Sequence, residues 1–453
     1  MEKASSIPNR LERLPMTSVQ WSIYWLCAVG LLFGSADIFT IFSIGTPVQT
    51  TFNLSSVELG LIISSAAPAA VAGAFVAGVL GDYLGRKAIF QYTLLLYAIG
   101  SVITGFAPNF YVFLLGRSIL GFGIGGELPT IMALISEYVP RKIRGTLLAL
   151  LNGMYAFGFV LATNLALAIV PNYTWRPLFF ILAVPAIIVL ILRRYGLPES
   201  ARWLEAKGRK EEAEKIVSNL ESKIEKKKGI KLAEVDISQA VPVQSVRAPL
   251  KEVFSGSTLK ITVLLIWMWF ITTFAGLGLP SFFIPILTSH FNYTYIEALS
   301  ILAYASYIQI VGIFLSIYLI EAIGRKPMLI ATYLLFGLTI LLMGATLANS
   351  SLIFYTVTAV ELLLAMNFSM VLAYTPEVYP TRSRSSGNAV STTSYNFTLF
   401  IAPILIGYLI TILPGASVAN LFYTVGILLL ITVAPVLIWA FETKGKVLEE
   451  IAK

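Results

Sequence analysis

The chain has 453 residues, 57% hydrophobic and only 12% charged, with a formal net charge of +8. So little charge excludes a water-soluble fold of this length. One cysteine (Cys27) and one histidine (His290) exclude an intramolecular disulfide, a His/Cys metal cluster and a histidine proton relay.

Residues 1–19 read as a polar, cytoplasmic lead-in without the short apolar core and cleavage site of a signal peptide. Apolar runs of about 20 residues then recur, each long enough to cross a hydrocarbon core as a helix. Spans are predicted at 20–46, 57–80, 88–108, 111–138, 144–170 and 176–194, then at 259–288, 297–320, 327–348, 352–375, 386–412 and 418–441. The charged stretch between the two sets, 195–258, carries Leu, Ile and Val at helical spacing and predicts short amphipathic helices on the inner membrane face. If the spans alternate in direction, nearly every Lys and Arg lies on one side, with Arg117 and Arg176 as exceptions. That bias places both termini in the cytoplasm and excludes a nucleic-acid partner. The expected organisation is an N-terminal six-helix bundle (1–194), a cytoplasmic linker (195–258), a C-terminal six-helix bundle (259–441) and a tail (442–453).

Between the second and third spans lies the hairpin Gly78-Val-Leu-Gly-Asp82-Tyr-Leu-Gly85-Arg86-Lys87. It returns as Glu321-Ala-Ile-Gly324-Arg325-Lys326, an offset of 239 residues for Arg86 and Arg325. Glu137-Tyr-Val-Pro140-Arg141-Lys-Ile-Arg144 returns as Glu377-Val-Tyr-Pro380-Thr-Arg382-Ser-Arg384. Two motifs repeated at nearly one offset mark a duplicated chain. The duplication favours a bistable closure at the inner face over plain topogenic charge. Its residues would be Asp82, Arg86, Lys87, Glu137, Arg141 and Arg144 in the first half, and Glu321, Arg325, Lys326, Glu377, Arg382 and Arg384 in the second. Asp82 is placed to pair with a base or to cap a neighbouring helix, and Arg86 to cross-pair with the Glu137 hairpin.

Ionisable residues inside spans are costly, and therefore candidates for function. Asp37 lies about 24 Å along the first span and Arg117 about 10 Å into the fourth from its other end, so the two depths match. Burial and a neighbouring guanidinium pull on the Asp37 proton in opposite senses, which suits a group that changes protonation with conformation. The alternative is a structural ion pair. Glu361 sits near the middle of the tenth span, as a proton or cation site or a structural group. Glu127 joins either the coupling network or an inner pairing. Glu58 and Glu297 read as solvated helix starts. Gly276, Gly278 and Pro280 predict a kink or unwinding in the seventh span, a frequent companion of solute sites. Phe33, Trp269 and Phe274 are candidate walls of a central cavity. Asn152, Tyr155, Gln309, Tyr395 and Asn396 are candidate polar contacts, with interhelical hydrogen bonds as the alternative. No phosphate-cradling loop and no Ser/His/Asp constellation is present, so neither ATP-driven pumping by this chain nor enzymatic activity is expected.

Over its whole length the chain resembles the major facilitator superfamily. The resemblance rests on Gly78-x-x-x-Asp82-x-x-Gly85-Arg86-Lys87 with its echo at Gly324-Arg325-Lys326, and on Pro198-Glu199-Ser200 and Phe441-Glu442-Thr443. It implies an all-α membrane protein with twelve transmembrane helices in two pseudo-symmetric six-helix bundles, in which the hairpin residues bridge inner helix ends. Arg117-x-x-x-Gly121 through Pro129 and Tyr374-Thr-Pro-Glu-Val-Tyr-Pro380 resemble the branch of niacin, organic-ion and aromatic-acid:proton symporters. The seventh-span double glutamine and the tenth-span Gly-Pro-x-Pro-Trp run of sugar porters are missing. The resemblance implies a plasma-membrane secondary transporter that couples protons to a small organic anion, without a cofactor and as a monomer. A sugar or sugar-acid symporter is the alternative, and a non-transporting membrane receptor the alternative from another class.

Overall fold

The computed structural model describes residues 7–12, 14–196, 198–228, 232, 250–380, 383–413 and 418–445. Among them, twelve helices are long and apolar enough to cross a membrane, six before the linker and six after it. They are Ser18–Phe52, Ser56–Leu84, Arg86–Phe106, Phe110–Tyr138, Ile143–Ile169, Arg176–Arg194, Thr258–His290, Tyr295–Ile323, Arg325–Thr346, Ser351–Glu377, Ser386–Ile412 and Ala419–Trp439. The chain is an all-α, multi-pass membrane protein. In each unit, the end that carries Gly85 or Gly324 is here called its hairpin end, the opposite one its far end.

Several helix limits have identifiable local causes. Ser55 and Thr294 each accept a hydrogen bond from the backbone three residues on, and Glu58 and Glu297 reach back to close capping boxes. Both carboxylates are therefore helix starts, as expected. The first helix runs to Phe52 rather than to residue 46. Pro47 removes the N–H that would bind the Ser43 carbonyl, and the Tyr295 hydroxyl donates to that carbonyl at 2.9 Å instead. The orphaned acceptor is satisfied, so the helix continues through the proline. In the seventh span the α-ladder gives way to a π-turn at Phe274–Gly278 and a 3-10 turn at Pro280–Phe282, at the position expected for an unwinding.

Packing gathers the residues into two compact units that do not follow the linker. One comprises Met1–Ile38, Ala69–Gly158 and Arg176–Gln244. Within it, a short helix at Ile7–Glu12 lies against the linker helix Lys210–Lys228. Ile7, Leu11 and Leu14 are buried with Ala213, Val217, Leu220 and Ile224. Arg10 clamps the contact through Glu214 (2.5 Å) and Glu221 (2.6 Å). The apolar face of the linker helix is thus covered by the N-terminal segment. The lead-in is a docked element.

The other unit comprises Phe39–Pro68, Phe159–Trp175 and Ser245–Lys453. It holds the far ends of early helices together with all the late ones. Gly60 packs so closely on Pro403, and Gly407 on Ser56, that an added Cβ would lie 2.4 Å and 2.2 Å from a backbone carbonyl oxygen. Thr163 and Ser306 hydroxyls meet at 3.2 Å, and Tyr307 donates to Asn164 at 2.8 Å.

Candidate functional site

The duplicated motifs build two corresponding constellations, one at the hairpin end of each unit. Gly85 has φ +97° and Gly324 φ +103°, a region open to glycine at little cost. A Cβ at either position would also strike a carboxylate, Glu199 at 2.5 Å and Glu442 at 2.7 Å. Those carboxylates close the following helices. Glu199 accepts the backbone N–H of Lys87 (3.0 Å) and of Ser200 (2.9 Å). Glu442 accepts those of Arg325 (2.9 Å), Lys326 (3.0 Å), Thr443 (3.0 Å) and Lys444 (2.8 Å). An anion over unpaired N–H groups at a helix start is favoured twice, by hydrogen bonds and by the helix dipole. Partial burial pushes the Glu442 carboxyl up, but the N–H groups outweigh it and hold the carboxyl below its ordinary value. Ser200 and Thr443 then bond to Glu137 and Glu377 at 2.5 Å each. Tyr138 donates to the Glu199 carbonyl and Tyr374 to that of Phe441.

The two copies differ in their arginines. Arg325 reaches across to Glu377 (3.1 Å) and also pairs with Glu321 (3.0 Å), as cross-pairing requires. Arg86 pairs with Asp82 at 3.2 Å, while Glu137 bonds Ser200 and Arg144 donates to the Val139 carbonyl. Asp82 does not act as a helix cap: its side chain is 71% exposed, and Glu199 occupies the capping position. Lys326 donates to the Leu437 carbonyl, Lys87 engages through its backbone, and Arg384 heads the eleventh helix. Arg382 and the side chain of Arg141 lie outside the described residues.

Within the first unit, Asp37 and Arg117 meet with both side chains wholly buried. Arg117 donates to the carbonyls of Asp37 (2.9 Å) and Ile38 (3.0 Å), and its Nη1 lies 3.8 Å from Asp37 Oδ1. Asp37 Oδ1 and Arg117 Nε have no hydrogen-bond partner among the described residues, so the pair is held close but unsaturated. Asp37 Oδ2 meets the Ser101 hydroxyl at 2.5 Å, and the same hydroxyl lies 2.9 Å from the Phe179 carbonyl. One hydroxyl proton faces two acceptors. Ser101 is absent from the sequence reading, since a serine in an apolar span carries no mark of its own.

Glu127 is likewise buried, but its partner is Arg193 of the sixth span at 2.8 Å, not a hairpin residue. The guanidinium also donates to the Leu26 carbonyl (2.8 Å) and lies over the Phe90 ring, 3.7 Å from its centroid. A Cβ on Gly30 would sit 2.2 Å from Arg193 Nη2, so glycine at that position makes room for the pair.

The second unit brings together two groups of the expected solute contacts. Trp269 donates to Thr375 (3.0 Å) and stands edge-on to Phe368 and Tyr395. Gln309 donates to Glu361 at 3.2 Å. Phe274 is buried in the π-turn against Phe270. The remaining candidates make local contacts. Asn152 and Asn396 donate to carbonyls one turn back, Tyr155 packs against the core of the first unit, and the Phe33 carbonyl accepts from Tyr97.

Residues 21–453 match the family model described as "Sugar (and other) transporter". The niacin transporter NiaP of Acinetobacter baylyi is 28% identical over 451 residues, 98% of this chain and 99% of that protein. The synaptic vesicle 2-related protein of Xenopus laevis is 23% identical over 98% of this chain and 82% of its own length. Among solved structures, the xylose transporter XylE from E. coli in a partially occluded inward-open conformation superposes with a TM-score of 0.74. It covers 95% of this chain and 100% of its own, at 21% identity. At that identity the likeness concerns the fold.

Proposed function

Since the chain belongs to the sugar (and other) transporter family, within the major facilitator superfamily, we propose that it couples protons to the uptake of a small organic anion, a nicotinate-like carboxylate, by alternating access. The observation that carries the reading is the buried, unsaturated Asp37–Arg117 pair with Ser101 beside it. With Asp37 ionised, the Ser101 hydroxyl donates its hydrogen bond to the carboxylate, and the carboxylate holds the guanidinium. When Asp37 takes up a proton, its O–H donates to Ser101, whose own proton turns to the Phe179 carbonyl. The neutral acid attracts Arg117 less, and the guanidinium becomes available to a cargo carboxylate. Cargo and proton thereby bind in mutual support, which is what symport requires. The relative named a niacin transporter supports the choice of cargo.

In this reading the two halves, 1–194 and 259–441, are the moving bodies. The twin hairpin constellations are their inner gates; Phe33, Asn152 and Tyr155 are cargo contacts of the first half, and Trp269, Phe274, Gln309, Tyr395 and Asn396 of the second. Both termini are cytoplasmic, in the plasma membrane, and the working unit is a monomer. Purified protein in proteoliposomes tests it. Inside-alkaline vesicles should accumulate labelled nicotinate, and a protonophore or Asp37→Asn should abolish accumulation. Xylose or glucose accumulated in place of nicotinate overturns the cargo, and ligand binding without accumulation overturns transport.

A further inference from the structure

Glu361 belongs to none of the steps above, yet its surroundings are unusual for a carboxyl. It lies within the tenth span, 1% exposed, and its hydrogen-bond partner is the Gln309 amide at 3.2 Å. Beside it is a cavity of about 10 Å³, room for one water molecule at most. Ala275, Leu279, Pro280 and Phe283 of the broken stretch of the seventh span wall this cavity, and apolar residues of the eighth, ninth and tenth spans complete it. Apart from Glu361, no lining residue from any of these elements is charged or titratable. An ionised carboxylate so placed has no cation among the described residues to compensate it, and room for one water at most.

Gln309 is the side chain that suits either protonation state. Its NH2 group donates to a carboxylate, and its carbonyl accepts from a carboxylic acid after an amide flip. The wall of the cavity is also the part of the bundle least bound into a regular ladder, at Phe274–Phe282.

We propose that Glu361, with Gln309 as its adaptable partner, is a second proton-binding site, loaded while the seventh-span break closes the cavity and discharged when that break opens it to bulk water. Each transport cycle then carries two protons, one on Asp37 and one on Glu361. The inference rests on the proton-coupled reading above, but its first test needs no cargo. Infrared difference spectra of wild type and Glu361→Gln at neutral pH should show a neutral-carboxyl C=O stretch that the variant lacks. Gln309→Leu should retain that band at a shifted frequency, which distinguishes loss of the acid from misfolding. Identical spectra for wild type and Glu361→Gln would overturn the proposal.

The second test is stoichiometric. With one pH unit across the vesicle and zero membrane potential, two protons per cargo support about 100-fold accumulation of nicotinate and one proton about 10-fold. Wild type should approach the first ratio and Glu361→Gln the second. An unchanged ratio beside a lost infrared band would mean an acid that stays neutral through the cycle, and would also overturn the site. Failure of wild type to accumulate nicotinate at all would strike the cargo assignment, while the infrared comparison still decides Glu361.

Discussion

Replacing Arg193 by Met would leave Glu127 buried with no cation. Both side chains are fully inaccessible and meet at 2.8 Å, and Glu127 Oε2 already lacks a hydrogen-bond partner among the described residues. The Leu26 carbonyl would lose two donors and Phe90 the guanidinium over its ring. Removing one member of such a pair costs about 3–5 kcal/mol, whereas replacing both by packed apolar groups is close to neutral. Arg193→Met and Glu127→Leu should therefore each destabilise by about 3–5 kcal/mol, and the double variant should recover most of the loss. Unfolding in mixed dodecylmaltoside–SDS micelles, followed by tryptophan fluorescence, supplies the four corners of the cycle. The double variant should keep pH-gradient-driven uptake, as expected of a pair that ties the first, fourth and sixth helices together. Additive single losses would refute the desolvation argument. A stable double variant that exchanges cargo but no longer accumulates it would place Glu127 in the proton path.

Three further outcomes follow from the same geometry. The Glu442 carboxyl is held below its ordinary value, so its contribution to stability is present above the unfolded-state pKa of about 4.3 and is lost as pH falls through the folded value. The melting temperatures of wild type and Glu442→Gln should differ at pH 7 and converge on acidification, and a gap that widens would contradict the capping role. Gly60→Leu should drive the second and eleventh spans apart at Pro403, cutting uptake at least about tenfold by disfavouring the conformation that holds this contact while leaving nicotinate binding measurable. Loss of binding alongside uptake would instead indicate misfolding. Ser101→Ala removes the proton that alternates between Asp37 and Phe179, so the pH profile of uptake should shift while cargo exchange at equal pH persists. An unmoved profile would assign Ser101 to packing alone.

Much of the fold was legible because the bilayer leaves so few options: long apolar runs, polar hairpins and one repeated offset specify twelve helices. The Asp37–Arg117 meeting was legible too, since depth along a helix follows from residue count. The hairpins were harder. The sequence marks Asp82 and Arg86 but not that Glu199, more than a hundred residues away, would take the capping position that Asp82 resembles. That assignment needs the three-dimensional return of the chain at Gly85. Arg193 was hidden for a different reason. Beside Arg194 at the end of an apolar run it reads as topogenic charge, yet neighbours on a helix point about 100° apart. Arg194 is exposed, while Arg193 continues the buried face of Ala183, Ala186 and Val189. That periodicity was the available signal. The docking of Ile7, Leu11 and Leu14 had a weaker one, three apolar residues in a polar segment.

Proton movement itself is the most direct measurement of what the Asp37–Arg117 pair does. Vesicles with a trapped pH dye and no imposed gradient should acidify inside when nicotinate is added, and Asp37→Asn should exchange nicotinate without that signal. Nicotinate entry without acidification in the wild type, or the same acidification in Asp37→Asn, would contradict a proton carried on Asp37.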